Sequence, residues 1–347
     1  MAMPVYRLEA EVAEGLEEIA QDEIRERLGD RVKLRSDEKP GIVRFDYVGR
    51  DLREVRGLRT VHSVYLVRRF PIPRPKALLG DEHFRALVKM VETVRKLWQP
   101  GAFQTLYMNA AGSESSVMQR IKEELAAKTG LQIAEDEGDL LIRLRHPPNE
   151  EAWEALVRIS PRPLATREWR VCNREGALNA TVAHAMVRLT QPKPDDVYLN
   201  LMCGSGTLLI ERLSAGPAQS AVGYDHDETA LTCARENVEA SGYGAFIKLE
   251  RGDVRELPMP DGCVDALVAD LPFGHLSGSH EGNVEIYPAI LREAARVAKT
   301  GARFVLITHE VRLMESLMAE SDVWTTEQVI RVALGGLYPR IFVLRRI

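Results

Sequence analysis

Val197-Tyr-Leu-Asn-Leu-Met-Cys-Gly-Ser-Gly-Thr-Leu-Leu-Ile-Glu211 is the stretch that decides the fold of this 347-residue chain. Val197 to Met202 reads as a short buried strand, Gly204-Ser205-Gly206 as a tight turn, and Thr207 to Arg212 as the start of an apolar helix. A strand that runs through glycines into a helix leaves backbone N–H groups pointing at whatever lies over the turn. The missing Cβ lets such a ligand come close. Taken alone, the glycines fit an ordinary βα turn equally well, because short glycine motifs also arise by chance.

Later strands shift that balance. Ser220-Ala-Val-Gly-Tyr-Asp225 ends in an acid about twenty residues after the turn, where nucleoside-binding folds place a carboxylate on the ribose hydroxyls. A nicotinamide fingerprint, G-x-G-x-x-G/A, needs a third small residue at position 209, which is Leu209. Leu249-Glu-Arg-Gly-Asp253-Val254 follows a strand near residues 246–249 and offers an acid to an adenine amino group. Val264-Asp-Ala-Leu-Val-Ala-Asp270-Leu271-Pro272-Phe273-Gly274 is a hydrophobic strand ending in a polar and aromatic turn. In open α/β sheets, ligands bind at such carboxyl ends.

These four loops, in this order, resemble the class I S-adenosylmethionine-dependent methyltransferases over roughly residues 170–347. The resemblance implies a Rossmann-like α/β domain with a seven-stranded, mostly parallel sheet at residues 179–347. It implies S-adenosyl-L-methionine as the cofactor. The implied binding residues are Asn200, Cys203, Gly204, Ser205 and Gly206 at the first strand and turn, Asp225 and His226 after the second, Asp253 and Val254 after the third, and Asp270. Asn200 stands where relatives often have Asp, which removes a charge that would attract the cofactor's ammonium. Arg174-Glu-Gly-Ala-Leu-Asn179-Ala-Thr181-Val-Ala matches a segment that closes over the methionine part in this group, so Asn179 and Thr181 join the set. Asn179 reads equally as a helix N-cap with Val182, Met186 and Leu189 packed behind it.

The fourth loop bears on the reaction. An exocyclic nucleobase amine is a poor nucleophile because its lone pair is delocalised into the ring. Two acceptors near its hydrogens, the Asp270 carboxylate and the Leu271 carbonyl, draw the nitrogen toward tetrahedral geometry. Pro272 fixes the turn, and Phe273 offers a stacking face worth ~1–3 kcal/mol. The family pattern is [D/N/S]-P-P-[Y/F], with Leu271 here in place of the first proline. Asp, an apolar residue and Pro-Phe-Gly resemble the guanine-N2 RNA enzymes more than the DNA enzymes. A cytosine-C5 mechanism needs a nucleophilic cysteine in this loop, and none is present. Cys203 lies in the other turn and reads as a small packed residue. Glu211 and His275 are given only weak roles.

The remainder of the chain sets the context. Hydrophobic content of 45% and charged content of 28% describe a globular protein of two or three domains. No apolar run reaches 18 residues, and Met1–Leu16 carries Arg7, Glu9, Glu11 and Glu14, so neither a membrane span nor a signal peptide is expected. Cys172, Cys203, Cys233 and Cys263 form no C-x-x-C pair. No metal site or disulfide is expected from them, and a cytoplasmic location is. The net charge of −5 hides three basic runs. They are residues 55–80 (with Arg68, Arg69 and Arg74), residues 158–174 (with Arg162), and the tail from Gln328 (with Arg340). Each reads as a solvated face or as part of a phosphate-tracking surface.

Residues 1–70 follow a βαββαβ order, a ferredoxin-like α+β unit. Residues 71–160 resemble a THUMP domain, an RNA-binding α/β module. That likeness rests on element order, on a strand leading through Gly112-Ser113 into a long helix, and on position upstream of the catalytic half. It implies tRNA as partner and adds Arg120 and Lys122 as phosphate contacts, with residues 161–178 as a linker. The whole resembles THUMP-containing tRNA guanine-N2 methyltransferases of the TrmN type, which act on guanosine 6 of the acceptor stem, and a monomer is expected. Guanine 10, ribosomal RNA, a non-catalytic RNA-binding paralogue, and a glutamine or small-amine methyltransferase are the alternatives.

Overall fold

The computed structural model describes residues 3–35, 39–148, 150–272 and 280–347. It divides into two units, residues 1–12 with 20–165 and residues 13–19 with 166–347. No helix among the described residues is long and apolar enough to cross a membrane.

The first unit is built on one eight-stranded sheet. Its strands are β1 (Val5–Val12), β2 (Val32–Leu34), β3 (Ile42–Val48), β4 (Val61–Phe70), β5 (Thr105–Ala110), β6 (Gln132–Ile133), β7 (Leu140–Arg145) and β8 (Trp153–Arg158), in the order β2-β3-β1-β4-β8-β7-β5-β6. Helices α1 (Glu17–Leu28), α2 (Asp81–Arg95) and α3 (Ser116–Thr129) accompany them. The Ser115 side chain caps α3 by accepting from Met118 N, and Gly130 ends it at φ 71°. The second helix of the expected βαββαβ order is a short 3₁₀ turn, Arg53–Gly57. The segments read as ferredoxin-like and THUMP-like, residues 1–70 and 71–160, contribute strands to this one sheet. Ten-residue β4 pairs with β1 on one edge and, from Tyr65↔Arg158 to Phe70↔Trp153, with β8 on the other. Alternation along β4 says which side chains face inward but not which strand lies beside it.

The second unit carries the seven-stranded sheet. Strands β9 (Val197–Leu201), β10 (Ser220–Asp225), β11 (Ile247–Arg251), β12 (Val264–Asp270) and β13 (Ala298–Thr308) run parallel. The hairpin of β14 (Trp324–Arg331) and β15 (Arg340–Arg346) adds antiparallel to β13, giving the order β11-β10-β9-β12-β13-β15-β14. Central strands of such a sheet are covered on both faces and read as near-continuous apolar runs. Period-two alternation sorts them. Tyr198, Ala266, Val268, Val305 and Ile307 enter one core with α4 (Ala180–Leu189) and α5 (Thr207–Ser214). Leu199, Leu201, Leu267, Ala269, Phe304 and Leu306 enter the other with α7 (His280–Val297). Each fully buried Leu contributes about 1.5–3 kcal/mol, so Leu267→Asp would break both this term and the charge balance of the core. Helices α6 (Glu228–Ala240) and α8 (Val311–Ala319) complete the unit.

Three expectations change here. The second unit begins at residue 166, so most of the expected linker is part of it. It also takes residues 13–19: Leu16 is buried in its core, Ala333 N donates to Glu14 O at 3.0 Å, and a Cβ at Gly15 would lie 1.9 Å from the Arg331 carbonyl oxygen. Cys172 and Cys233 form a disulfide across 61 residues of sequence. Spacing gave no sign of it, because the Asn237 side chain brings the two together through space: Oδ1 accepts from Cys172 N at 2.9 Å and Nδ2 donates to Cys172 O at 3.0 Å.

Candidate active site

The strand order reverses between β9 and β12, and a crevice opens at the carboxyl end of a parallel sheet at such a point. The second unit has there a cavity of about 570 Å3. The turn after β9 forms its floor. Met202, Gly204 and Gly206 have φ of 55°, 53° and 80°. Only the two glycines take that region without strain, and Met202 adopts it as part of the same tight reversal. Close packing fixes the turn from behind: a Cβ on Gly223 of β10 would sit 2.6 Å from Leu209 Cδ1 and 2.9 Å from Cys203 Cβ.

Asp225 closes the adjoining side. Its Oδ2 accepts from Gly204 N at 2.8 Å and its Oδ1 from Asp227 N at 3.0 Å, so its carboxylate is oriented by the loops it joins. Residues 174–178 make a further wall. Arg174 holds Asp227 at 2.7 Å and Thr229 Oγ1 at 2.9 Å. Hydrogen bonds from Thr229, aided by Arg174, bring the Asp227 carboxyl down to about 2. The charged lining is Arg174, Glu175, Asp225, Asp227 and Asp270 beside His226, an excess of carboxylates. That balance suits a nucleoside with a cationic tail and disfavours a pyrophosphate.

Asp270, at the end of β12, also lines the cavity. Its Oδ1 is buried and has no hydrogen-bond partner among the described residues, and burial pushes the carboxyl up to about 7. The turn after it is held firmly. Leu271 N donates to Ile307 O at 3.0 Å, while the Pro272 carbonyl accepts from Tyr287 Oη at 2.8 Å and from Asn283 Nδ2 at 3.2 Å. Among the described residues no donor reaches the Leu271 carbonyl. Two unfilled acceptors in adjacent residues are what an amine with two hydrogens requires.

Of the residues read from the sequence, Cys203, Gly204, Ser205, Asp225, His226, Asp270 and Pro272 line this cavity. Leu271 is buried in the adjoining core. Phe273 and His275 lie outside the described residues. Asn179 and Thr181 are not on the lining: Asn179 Oδ1 caps α4, accepting from Thr181 N at 2.9 Å and Oγ1 at 2.7 Å. Asn200 is fully buried and donates to Leu201 O and Val268 O. Gly206 N is used by Cys203 O at 2.9 Å. Asp253 binds the side chain of Arg255, which lowers its carboxyl to about 2, and Val254 packs in the core. Glu211 is buried between Arg167 and His184. Burial pushes the Cys203 thiol well up, in keeping with a packed, inert residue. The sequence reading missed Asn283 and Ile286 of α7, whose only signal is the spacing of Asn283, Ile286 and Tyr287 on one helical face.

The basic runs resolve unevenly. Arg158 donates to the carbonyls of Ser160 and Gly138, Arg167 pairs with Glu211, and Arg170 serves Leu178 O and Thr207, so most of the 158–174 run is internal bracing. Arg162 remains exposed. Arg340 pairs with Glu315, Arg69 with Glu150, and Arg120 with Glu124 at 2.9 Å. Arg74 is exposed, and Lys122 has no side-chain partner among the described residues. Arg68 and Arg69 line a hollow of about 530 Å3 in the first unit together with Arg7 and Lys89.

Residues 167–340 match the family model described as RMKL-like, methyltransferase domain. The chain is similar to the tRNA (guanine(6)-N2)-methyltransferase of Thermus thermophilus, 29% identical over 348 residues, covering 98% of this chain and 99% of that one. It is 32% identical over 182 residues to the Mus musculus tRNA (guanine(6)-N(2))-methyltransferase THUMP3; that match spans 49% of this chain and 36% of the mouse protein. The crystal structure of TrmN from Thermus thermophilus superimposes with a TM-score of 0.77 at 27% identity, covering 99% of this chain and all of that one. The match of the family model to half of the chain, over the unit that carries the cavity, places this protein in the RMKL-like methyltransferase-domain family.

Proposed function

We propose that this protein is an S-adenosylmethionine-dependent tRNA guanine-N2 methyltransferase acting on guanosine 6 of the acceptor stem. The observation that carries this reading is the unpartnered, buried Asp270 Oδ1 beside an unclaimed Leu271 carbonyl, at the edge of a carboxylate-rich nucleoside cavity. Full-length similarity to a tRNA (guanine(6)-N2)-methyltransferase supports the choice of nucleotide.

The cofactor, when bound, supplies an electrophilic methyl group on a sulfonium. The lining fits it: Asp225 is oriented for ribose hydroxyls, the glycine turn admits the ligand closely, and the excess of carboxylates attracts its cationic end. Asp270 and the Leu271 carbonyl accept from the two hydrogens of the guanine amine, which turns the nitrogen lone pair toward the methyl. An Asp270 with a pKa near 7 is suited to take the proton as the new N–C bond forms. A base inside a stem has to be extruded first, which costs a few kcal/mol and is offset by stacking and pocket contacts. Exposed Arg74 and Arg162 and half-buried Lys122 are suited to hold the tRNA backbone.

The test is methyl transfer to unmodified tRNA transcripts, with the product mapped by mass spectrometry. One N2-methylguanosine at position 6, lost when that base is changed to adenosine, is expected. Methylation at position 10 or of ribosomal RNA alone would overturn the assignment of the nucleotide. Transfer to a protein or small amine without RNA would overturn the substrate class.

A further inference from the structure

We infer that Tyr287, Asn283 and Thr308 are positioning residues that occupy the Pro272 carbonyl, so that the substrate amine is left the Leu271 carbonyl and the Asp270 carboxylate. The inference rests on the amine methylation proposed above, and its ground is a count of protons. A backbone N–H can only donate, and Glu310 N lies 2.9 Å from Thr308 Oγ1. Thr308 Oγ1 lies 2.7 Å from Tyr287 Oη, which lies 2.8 Å from the Pro272 oxygen. The Pro272 carbonyl can only accept, so the Tyr287 hydroxyl donates to it. The Thr308 hydroxyl then donates to Tyr287 while accepting from Glu310. Both ends of this chain are backbone groups of fixed role, so its direction is fixed as well. Asn283 Nδ2 fills the second lone pair of the Pro272 oxygen from 3.2 Å.

Three side chains from two elements therefore serve one carbonyl. Asn283 and Tyr287 are four residues apart on α7, on one face, and Thr308 ends β13 beside the reacting strand. All three side chains are buried. Phenylalanine at 287 and valine at 308 would fill the same space, so packing does not require the hydroxyls. They saturate a carbonyl that would otherwise compete for the amine, one residue away from the one that should hold it. A shift of that size misaims the nitrogen lone pair.

The experiment compares the full chain with Tyr287→Phe, Thr308→Val and Thr308→Ser, using unmodified tRNA and S-adenosylmethionine in single-turnover assays, with cofactor affinity measured separately. Tyr287→Phe and Thr308→Val should each slow transfer roughly 10- to 100-fold while the cofactor Kd stays within about twofold. Thr308→Ser keeps the hydroxyl and should recover most of the rate that valine loses. Wild-type rates in both deletion variants would overturn the proposal. So would a serine variant as slow as valine, or cofactor affinity falling in step with rate. Thr308→Val is isosteric, and an unchanged melting temperature separates its effect from misfolding. A wild-type protein that methylates no RNA amine removes the underlying reading and this one with it. An active wild type indifferent to Tyr287→Phe removes only this one.

Discussion

The sheet of the first unit and the cavity of the second treat a carboxylate removed from water in opposite ways. In the eight-stranded unit, burial alone would raise Glu9 and Glu11. Hydrogen bonds from Arg145 and Arg44 outweigh it at Glu9 and bring that carboxyl below its usual range. His62, Arg143 and Tyr65 do the same for Glu11, down to about 2. In the seven-stranded unit, half-buried Asp270 has its Oδ1 sealed from solvent without any such partner among the described residues, and desolvation pushes the carboxyl up to about 7. All three acids lie on strands. A carboxylate met by cations braces a sheet, whereas one left unmet at a cavity is available for chemistry.

The largest expected effect tests that contrast where the partner is missing. Asp270→Asn should lower methyl transfer roughly 10²- to 10⁴-fold while cofactor binding remains measurable. At pH 8 the folded protein should be no less stable, because the substitution removes an uncompensated charge. The pH dependence follows from the direction of the shift. Folding raises the pKa, so the native chain binds more protons than the unfolded one between the ordinary carboxylate range and about 7. Stability contributed by this group therefore falls as pH rises through that window, while turnover, which needs the carboxylate, climbs. A flat rate between pH 5.5 and 8 in the wild type would show that Asp270 does not titrate in the mechanism.

Arg145→Ala tests the contrast where the partner is present. Arg145 donates to Glu9 at 2.8 and 2.6 Å and to Glu154 at 2.8 Å, and Glu9 is 2% exposed. Removing it leaves buried Glu9 with Arg44 as its remaining cation and should cost about 1.5–3 kcal/mol, read from denaturant unfolding. Restoration of stability by the double change Arg145→Ala with Glu9→Gln would tie the loss to the under-paired carboxylate. Equal destabilisation in both variants would assign it to lost packing instead.

This difference also explains what the sequence could convey. The second unit was legible because its cavity-lining residues sit at strand ends, where turn chemistry, apolar runs and a terminal acid coincide: Gly204, Asp225 and Asp270 all line the cavity. What escaped notice was set by distance. Asn179 satisfies its own helix end, and Asp253 is engaged by Arg255 two residues on, yet both carry the residue type a ligand would want. Asn283 and Tyr287 look like ordinary helix residues until β12 delivers Pro272 to them. In the first unit, alternation marked the strands but not the β4–β8 pairing. Arginine counts overstated the open basic surface, because partners such as Glu211 for Arg167 lie 44 residues away.

The smallest effects should come from the surface cations, and they ask whether pairing also governs RNA contact. Lys122 and Arg120 lie on the same helix, α3, but Arg120 is engaged by Glu124 at 2.9 Å and Lys122 has no such partner among the described residues. A phosphate reached by Lys122 releases a counterion, so Lys122→Ala should weaken tRNA binding a few-fold and reduce the slope of log affinity against log salt by about one. Arg120 must first leave Glu124 to do the same. Its exposed pair is worth roughly 0.3–0.5 kcal/mol, so Arg120→Ala should change the slope less, and Glu124→Ala should strengthen binding slightly by freeing it. Filter-binding titrations from low to moderate salt would measure all three. Equal slopes for the three variants and the wild type would mean that α3 does not touch the phosphate backbone, whatever its charge.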